Sequence, residues 1–478
     1  MKTVVLINGG DWKMQISMFD GTEKLKITKP IRLIELFGGY GSQSLALKYL
    51  GIPFKHWRLS EWAVPSIQAY KDLHANDDDT DYSVELSQEQ LLDYLDGRIS
   101  LNYSEPMTRE QIERKGEMWQ RRVYNNMRAT NNCGSIMKMR GQDLNIIDTD
   151  KYCYIAVYSF PCQDLSSAGL NKGMAKGSGT RSGLLWEVER LLEESENKPQ
   201  ILLMENVPEV IGTKNIPHFA KWVEKLESLG YKCKWDCLNA KNYGIPQNRE
   251  RCFMVSFLGD YFYDFPKPIP LTLRLKDILE KEVDEKYYLS DKMIRYIMAN
   301  NEKWTGNNNK SLINKTIAST LTTGEGTYRC DTSNYISSDF PDNFDLKEVC
   351  AYDEQNKYIR KDGCVGTLTT DGSSPKHNNR IIEPLVWDGY NQQVRADSSV
   401  VGTLTRQCGA DLKRNGQGII ESPYRIRKLT PKECWRLMGV KDEDFEMVAK
   451  NQSNSSLYHL AGDSIVVNVL MAIFNQML

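Results

Sequence analysis

The sequence predicts an α/β protein with a Rossmann-like, doubly wound and mostly parallel sheet, and a smaller β-rich second domain. An apolar strand at residues 31–35 enters a glycine-rich turn and a helix, and apolar strands alternate with helical patterns between residues 154 and 258. These two observations predict the sheet. The second domain is predicted because residues 266–424 lose the alternation and are rich in Asn, Gly, Ser and Thr.

The composition is that of an ordinary globular protein, with 478 residues of which 40% are hydrophobic and 26% charged. The net charge is −2, so any nucleic-acid partner must be met by a local basic surface. Eleven cysteines without a zinc-type spacing predict free thiols in a reducing compartment and no metal site. The apparent lack of a membrane-length apolar run and of a signal peptide predicts a soluble cytoplasmic protein without a membrane partner.

The first α/β unit predicts a nucleotide-binding turn. The strand at residues 31–35 leads into FGGYGSQ and a helix at 42–50. By itself the glycine turn is equally consistent with a tight connection. However, Glu61 and Trp62 follow at the end of the next strand, where a carboxylate binds ribose hydroxyls and an indole can stack on adenine. An adenosine-bearing cofactor is therefore predicted.

The rest of the chain suggests a helical insertion and two boundaries. Residues 75–135 are polar with helical patterns and are predicted to lie on the periphery of the sheet. Three prolines within residues 266–270 end the α/β pattern, and helical patterning returns at residues 425–478. The first domain is thus predicted to span residues 1–265.

Cys162 is the candidate nucleophile. It follows a buried strand at residues 154–158, and such a thiol is more often packed and inert. The Gly- and Ser-rich stretch that begins near Ser166 and carries Arg181 argues against an inert role, because a flexible basic loop can close over a phosphate backbone.

Acidic and basic side chains are predicted at the same edge of the sheet. Glu205 ends an apolar strand at residues 200–204, and a partly desolvated carboxyl there can donate a proton near neutral pH. Arg249 and Arg251 begin the strand at 251–258, and their spacing allows either a salt-bridged strand end or hydrogen bonding to a substrate.

Seven motifs occur along the chain in the order FGGYGSQ, EW, SFPCQDLS, MENV, NYGIPQNRERCFMVSF, RKLTPKECWRLMG and AGDSIVVNVL. Together they resemble the DNA (cytosine-5) methyltransferase family. The resemblance covers residues 31–265 and 425–478, and the catalytic half is most similar to the bacterial branch that includes CpG-specific enzymes.

The resemblance implies methyl transfer from S-adenosylmethionine to C5 of cytosine in double-stranded DNA. Cys162 is implied to add to C6 of a flipped-out base, and Glu205 to hydrogen-bond N3 and the exocyclic amine. Arg251 is implied to contact O2, with Arg249 and Gln247 shaping the same pocket. The cofactor-binding residues implied are Phe37, Gly39, Gly41, Glu61, Trp62, Leu184 and Asp463.

Three positions depart from the family pattern. Gly38 stands where Ala is usual and is expected to loosen the turn. Lys138 and Asp143 compete for the position that meets adenine N6. Asp463 stands where Asn is common, and it is expected to pair with the ammonium or sulfonium of the cofactor rather than to favour an unusual cofactor.

Residues 266–424 are implied to be the target recognition domain, and residues 425–478 to return to the catalytic domain. Thr403 and Leu404 fit the family's Thr-Leu dipeptide best, and Ser166 and Arg181 are the other candidate DNA contacts. Thr-Leu also occurs at 320–321 and 367–368. The repeats indicate either stacked hairpins that form one recognition surface or separate modules for different target sequences.

The family resemblance also implies a monomer in a bacterial or phage-infected cell, and it leaves open whether a restriction endonuclease accompanies the enzyme. Two alternatives are a tRNA cytosine-5 methyltransferase and a catalytically idle DNA-binding protein. The large β-rich domain argues against the first, and the presence of Cys162, Glu205 and Arg251 argues against the second.

Overall fold

The chain divides into two compact units in the computed structural model. The first comprises residues Met1–Ile278, Ile317–Gly326 and Pro431–Leu478, and the second comprises Leu279–Thr316 and Thr327–Thr430. The boundaries predicted from the sequence stay a prediction. The structure describes residues 23–162, 165, 173–288, 318, 320–321 and 427–478, and the backbone alone of several short strands outside these ranges.

A six-stranded mixed sheet forms the core of the first unit, and it confirms the predicted α/β fold class. The strands are β1 Ile31–Leu36, β2 Phe54–Ser60, β3 Cys153–Tyr158, β4 Ile201–Asn206, β5 Tyr231–Asn239 and β6 Glu250–Leu258. Their order in the sheet is β2-β1-β3-β4-β6-β5. The three strands β1, β3 and β4 are buried along their whole length, as expected for central strands that helices cover on both faces.

The strand predicted at residues 251–258 is antiparallel rather than parallel. β1 pairs in parallel with β2 and β3, and β3 with β4, whereas β6 runs antiparallel to β4 and β5. Only a 3₁₀ turn at Ala240–Tyr243 and the short strand Gln247–Asn248 separate β5 from β6. This connection is too short for a crossover between parallel strands.

Helices cover the sheet and build the insertion. Three helices of residues 75–135 bury a small apolar cluster together with Ile67 of the preceding helix, and this cluster includes Leu92, Ile112 and Val123. The helices described are α1 Ser42–Tyr49, α2 Val64–His74, α3 Gln88–Leu95, α4 Arg109–Glu113, α5 Glu117–Ala129, α6 Leu185–Glu194, α7 Ile216–Ser228, α8 Pro431–Leu437, α9 Asp442–Ala449, α10 Asn454–Asp463 and α11 Val467–Asn475.

The C-terminal helices belong to the first unit. The Trp435 ring stacks on the fully buried Tyr40 ring at 4.6 Å between centroids. Asp444 accepts hydrogen bonds from Lys48 Nζ at 2.7 Å and from the Tyr49 hydroxyl at 2.6 Å. These contacts fasten α8 and α9 to the turn and helix that follow β1.

The expectation that no stretch reaches the length of a membrane span is wrong for one segment. Asn454–Asn475 is long and apolar enough by length and composition, but 72% of its most apolar window is buried inside the protein. The segment consists of α10 and α11, which pack in the core of the first unit. Its apolar character therefore has a packing explanation.

The second unit contains short antiparallel strands. Tyr335–Ser337 pairs with Ile426–Lys428. Six other strands form two three-stranded sheets. Ala351–Asp353 lies between Tyr358–Arg360 and Arg380–Ile381, and Leu385–Asp388 lies between Gln393–Arg395 and Gln417–Ile420. The Thr-Leu repeats at 367–368 and 403–404 lie outside the described residues.

Candidate active site

The turn after β1 has the backbone of a cofactor-binding loop. Phe37, Gly39 and Gly41 all have positive φ, at 58°, 57° and 84°. Gly38 does not loosen this turn, because a Cβ there would collide with Cδ1 of the buried Leu59. Glycine at position 38 instead lets the turn pack closely on β2.

Glu61 is held beneath the glycine turn by backbone donors. Its carboxylate accepts the N–H of Gly39 at 2.8 Å and the N–H of Ala63 at 2.7 Å. Burial raises the pKa of Glu61 to about 7, although these hydrogen bonds oppose the shift. Trp62 is half-buried, and its carbonyl accepts the N–H of Ser100 at 2.7 Å.

Asn132 positions Glu61, and the sequence analysis did not identify it. Its Oδ1 accepts the N–H of Glu61 at 3.0 Å and that of Gly134 at 2.9 Å, while its Nδ2 donates to the Glu61 carbonyl at 2.9 Å. The side chain is buried. It comes from the end of the helical insertion, so no local motif connects it with Glu61.

Cys162 lies just past β3 with a half-buried side chain. Two side chains hold the segment before it, since Asn206 Nδ2 donates to the Phe160 carbonyl at 2.9 Å and Ser182 Oγ to the Pro161 carbonyl at 2.7 Å. Asn206 is the third letter of the MENV motif, which was the available signal for it. Phe37, Cys162 and Leu184 all pack against the same apolar cluster.

The electrostatic surroundings of Cys162 favour its protonated thiol. Burial raises its pKa to about 11, and the Asp463 and Glu205 carboxylates act in the same direction. Arg251 and Arg249 oppose them. Thiolate formation therefore needs a change in these surroundings.

Glu205 and Arg251 form an ion pair across adjacent strands. The Arg251 Nε lies 3.2 Å from Glu205 Oε1, and both side chains are largely buried. The Ser159 hydroxyl also donates to Glu205. β3, β4 and β6 thus bring Ser159, Glu205 and Arg251 to one edge of the sheet. Ser159, the first letter of SFPCQDLS, was not identified from the sequence.

The two terminal nitrogens of Arg249 are bound by backbone carbonyls, whereas its buried Nε has no hydrogen-bond partner among the described residues. Its guanidinium donates to the carbonyls of Leu321, Gly462 and Ser464 at 2.9, 3.0 and 2.7 Å. Burial lowers the pKa of Arg249 to about 9, and the neighbouring Arg251 acts in the same direction. Arg249 therefore joins three chain segments beside Cys162.

Gln247 has a similar role. Its side chain is fully buried, with Nε2 donating to the Leu437 carbonyl at 2.8 Å and Oε1 accepting the Leu321 N–H at 3.1 Å. Thr320 Oγ1 donates to the Asn248 carbonyl at 2.7 Å. Among the described residues, the first Thr-Leu dipeptide thus lies against Gln247 and Arg249. Thr403 and Leu404, expected to be the Thr-Leu dipeptide of the family, lie outside the described residues.

Asp463 is the last residue of α10, and its side chain is exposed. Arg249 Nη2 donates to the carbonyls on either side of Asp463, those of Gly462 and Ser464. Arg181 is exposed in the 3₁₀ turn Arg181–Leu184, and Ser166 lies outside the described residues. Among the described residues, no group of three or more His, Cys, Asp or Glu side chains has a metal-binding arrangement.

Comparison with known proteins places the chain among enzymes with this chemistry. The sequence model of the family described as "C-5 cytosine-specific DNA methylase" matches residues 98–478. The type II methyltransferase M2.ScrFI of Lactococcus lactis subsp. cremoris is 31% identical over 450 residues, covering 94% of this chain and 99% of that protein. The orphan methyltransferase M.SssI of Spiroplasma monobiae is 38% identical over 291 residues, covering 59% and 73%.

Solved structures support the fold. The Dnmt2 methyltransferase of S. pombe superposes with a TM-score of 0.52 at 15% identity, covering 94% of this chain and 98% of that one. At this level of identity the likeness concerns the fold alone.

Proposed function

Because this chain belongs to the C-5 cytosine-specific DNA methylase family and is an S-adenosylmethionine-dependent DNA cytosine-5 methyltransferase, we propose that Cys162, Glu205 and Arg251 carry out its chemistry on a flipped-out cytosine. The observation that carries this proposal is the Glu205–Arg251 ion pair, which lies at the edge of the sheet where β3 ends and the chain continues to Cys162. A thiol, a carboxyl and a guanidinium are the groups needed to attack C6, to meet N3 and to meet O2.

The residues of the cofactor turn fit S-adenosylmethionine. Gly39 and Gly41 give the backbone the left-handed conformation that allows close approach, and Glu61 supplies an acceptor for ribose hydroxyls. The sulfonium of the cofactor supplies an electrophilic methyl group for C5. The residues proposed to hold the cofactor are Phe37, Gly39, Gly41, Glu61, Trp62, Leu184 and Asp463.

The covalent step belongs to Cys162. After the thiol loses its proton, the thiolate forms a bond to C6, and the electron pair of the C5–C6 double bond makes C5 nucleophilic. Glu205 hydrogen-bonds N3 and the exocyclic amine, and Arg251 meets O2, so that both stabilise the charge that develops on the ring. Once C5 has been alkylated, loss of its proton returns the electron pair, expels Cys162 and restores the double bond.

Gln247 and Arg249 are proposed to act as positioning residues. Each holds the backbone of Leu321 and of the C-terminal segment beside the catalytic residues. Their side chains are buried and already occupied by protein partners, which supports an indirect role.

Double-stranded DNA is the substrate, and recognition of a specific sequence is proposed for the second unit. Ser166 and Arg181 are proposed to contact DNA from the loop after Cys162, and Thr403 and Leu404 from the recognition domain. The contacts of Thr320 and Leu321 with Gln247 and Arg249 support a further role for the first Thr-Leu dipeptide at the catalytic edge.

A monomeric enzyme in the cytoplasm of a bacterial or phage-infected cell is also proposed. M2.ScrFI is named a type II methyltransferase, and M.SssI an orphan methyltransferase. Because the relatives include both kinds, a restriction endonuclease gene beside the gene of this protein would be the sign of a paired system.

Trapping on 5-fluorocytosine DNA tests the assignment of Cys162. Fluorine at C5 blocks the elimination step, so the wild-type enzyme incubated with S-adenosylmethionine should form an adduct that survives denaturing electrophoresis. Cys162→Ala should form none, whereas Cys237→Ala, which removes another half-buried thiol, should form the adduct. An adduct with Cys162→Ala would show that another group is the nucleophile.

A further inference from the structure

The Asp463 carboxylate stands at an unfavourable place in the protein. It is the last residue of α10, where the unpaired carbonyls of a helix favour a cation over an anion. Among the described residues, no cationic side chain lies within 4.0 Å of this carboxylate, and no hydrogen bond to it is present. The charge of Asp463 interacts with the Arg249 guanidinium, whose pKa it raises, but no close partner offsets its place at the helix end.

The surroundings of Asp463 fix its place at the cofactor site. Arg249 Nη2 donates to the carbonyls of both Gly462 and Ser464, so the backbone around Asp463 is anchored to the catalytic edge. A Cβ on Gly39 would lie 3.8 Å from Ser464 Oγ. Asp463 is therefore next to the residue that packs against the glycine turn.

The field of Asp463 reaches the groups on both sides of the proposed cofactor. It contributes to the raised pKa of Glu61, which is proposed to hold the ribose, and to the raised pKa of Cys162, which is proposed to attack the base. Glu61 would hold the ribose of the cofactor, and the cofactor would supply a methyl group to the base that Cys162 attacks. A carboxylate whose charge acts on both residues would therefore act on the cofactor as well.

We propose that Asp463 distinguishes the positively charged S-adenosylmethionine from its neutral product S-adenosylhomocysteine. The inference rests on the proposed function and deepens it. The two molecules differ by a methyl group and by the charge on sulfur, and a carboxylate near the sulfur attracts only the sulfonium. Asp463 therefore favours exchange of product for fresh cofactor.

The same charge argument predicts opposite effects on binding and on the chemical step. The positive charge on sulfur decreases as the methyl group leaves, so Asp463 stabilises the bound reactant more than the transition state. Replacing Asp463 by Asn should weaken S-adenosylmethionine binding and increase the rate of methyl transfer in a single turnover with saturating cofactor. A residue needed only for folding would lower that rate.

Calorimetric binding of three ligands tests the proposal. Asp463→Asn should reduce the ratio of Kd for S-adenosylhomocysteine to Kd for S-adenosylmethionine by about 3- to 20-fold, as expected for one partly screened charge pair. Sinefungin, which carries an ammonium group in place of the methylsulfonium, should follow S-adenosylmethionine. Asp463→Glu should restore much of the ratio, and the exposed Glu85→Gln should leave it unchanged.

Equal changes in the three dissociation constants of Asp463→Asn would overturn the inference while leaving the proposed function intact. Failure of the wild-type protein to bind S-adenosylmethionine would overturn both. Measurements at two salt concentrations add a second criterion, since the ratio for the wild type, but not for Asp463→Asn, should fall as salt increases.

Discussion

At the scale of single residues, the site combines a protonated thiol, Cys162, with the charged side chains that set its pKa. The pKa of Cys162 is about 11 because of burial and the carboxylates of Asp463 and Glu205. A protonated thiol is a weak nucleophile and is also protected from adventitious alkylation. Entry of the base and of a cationic cofactor would change the same charges that suppress ionisation.

Glu205→Gln should separate thiol reactivity from catalysis. Because the Glu205 charge raises the pKa of Cys162, its removal should increase iodoacetamide alkylation of Cys162 in the free enzyme several-fold at pH 8. Methyl transfer should fall by about 10²-fold or more, since the group proposed to hydrogen-bond N3 of the base is weakened. Site-resolved mass spectrometry measures the alkylation. A slower reaction of Cys162 in the variant would contradict this electrostatic account.

Glu35 should make stability depend on pH. It is fully buried and accepts hydrogen bonds from Ser44 and Tyr70, and burial raises its pKa from 4.5 to about 7. Between these values the folded state binds more protons than the unfolded state, so the free energy of unfolding falls as pH rises from 5 to 8. The contribution is about 3 kcal/mol at most.

Glu35→Gln removes this titration. Relative to the wild type, the free energy of unfolding of the variant should therefore increase by about 2–3 kcal/mol between pH 5 and pH 8. Urea unfolding at the two pH values measures this difference. The exposed Glu85→Gln controls for the loss of one acidic residue. A difference that does not vary with pH would show that Glu35 does not titrate in this range.

At the scale of elements, the connections between strands decide where each functional side chain lies. The turn from β1 to α1 is packed against β2 through Gly38 and Leu59. The reversal of β6 brings Arg251 opposite β4, beside Glu205. Glycine in the turn and a short connection before β6 are therefore part of the geometry of the site.

Gly38→Ala should destabilise the turn, although Ala is usual in the family. The added methyl collides with Leu59 Cδ1, and such overpacking costs about 1–3 kcal/mol. Weaker S-adenosylmethionine binding should accompany the loss of stability. Leu59→Val makes room, so Gly38→Ala combined with Leu59→Val should be less destabilised than the sum of the single variants. Additive losses, measured by thermal unfolding, would rule out this contact as the cause.

At the scale of the whole molecule, the chain crosses more than once between its two compact units. Residues Ile317–Gly326 belong to the first unit although their neighbours on both sides belong to the second. Leu321 is buried there, and its backbone contacts Gln247 and Arg249. The first Thr-Leu dipeptide thus contacts Gln247 and Arg249. The similarity of the three repeats in sequence did not predict these contacts.

Leu321→Ala should lower methylation at every target sequence. Truncating this buried side chain is expected to cost about 2–5 kcal/mol of stability and to disturb Gln247 and Arg249. Leu404→Ala, in the proposed recognition domain, should instead change which sites are modified. Base-resolution cytosine mapping of DNA from cells expressing each variant provides the readout. A changed consensus with Leu321→Ala would assign the first repeat to recognition.

The sequence by itself determined the reaction and the order of the main elements. Cys162 follows one buried apolar strand and Glu205 lies near the end of another, and parallel strands place such residues at a common edge. This local signal also predicted Glu61 beside the glycine turn. The physical reason is that strand periodicity and glycine turns are encoded by residues close together in the chain.

Only the tertiary structure decided how the site is held together. Arg249 donates to carbonyls 72 and 215 residues away, and Asn132 holds Glu61 from a distance of 71 residues in the chain. The antiparallel direction of β6 and the place of Thr320 and Leu321 depend in the same way on pairing between segments. Backbone carbonyls carry no side-chain signature, so the sequence does not reveal which distant residue will bind them.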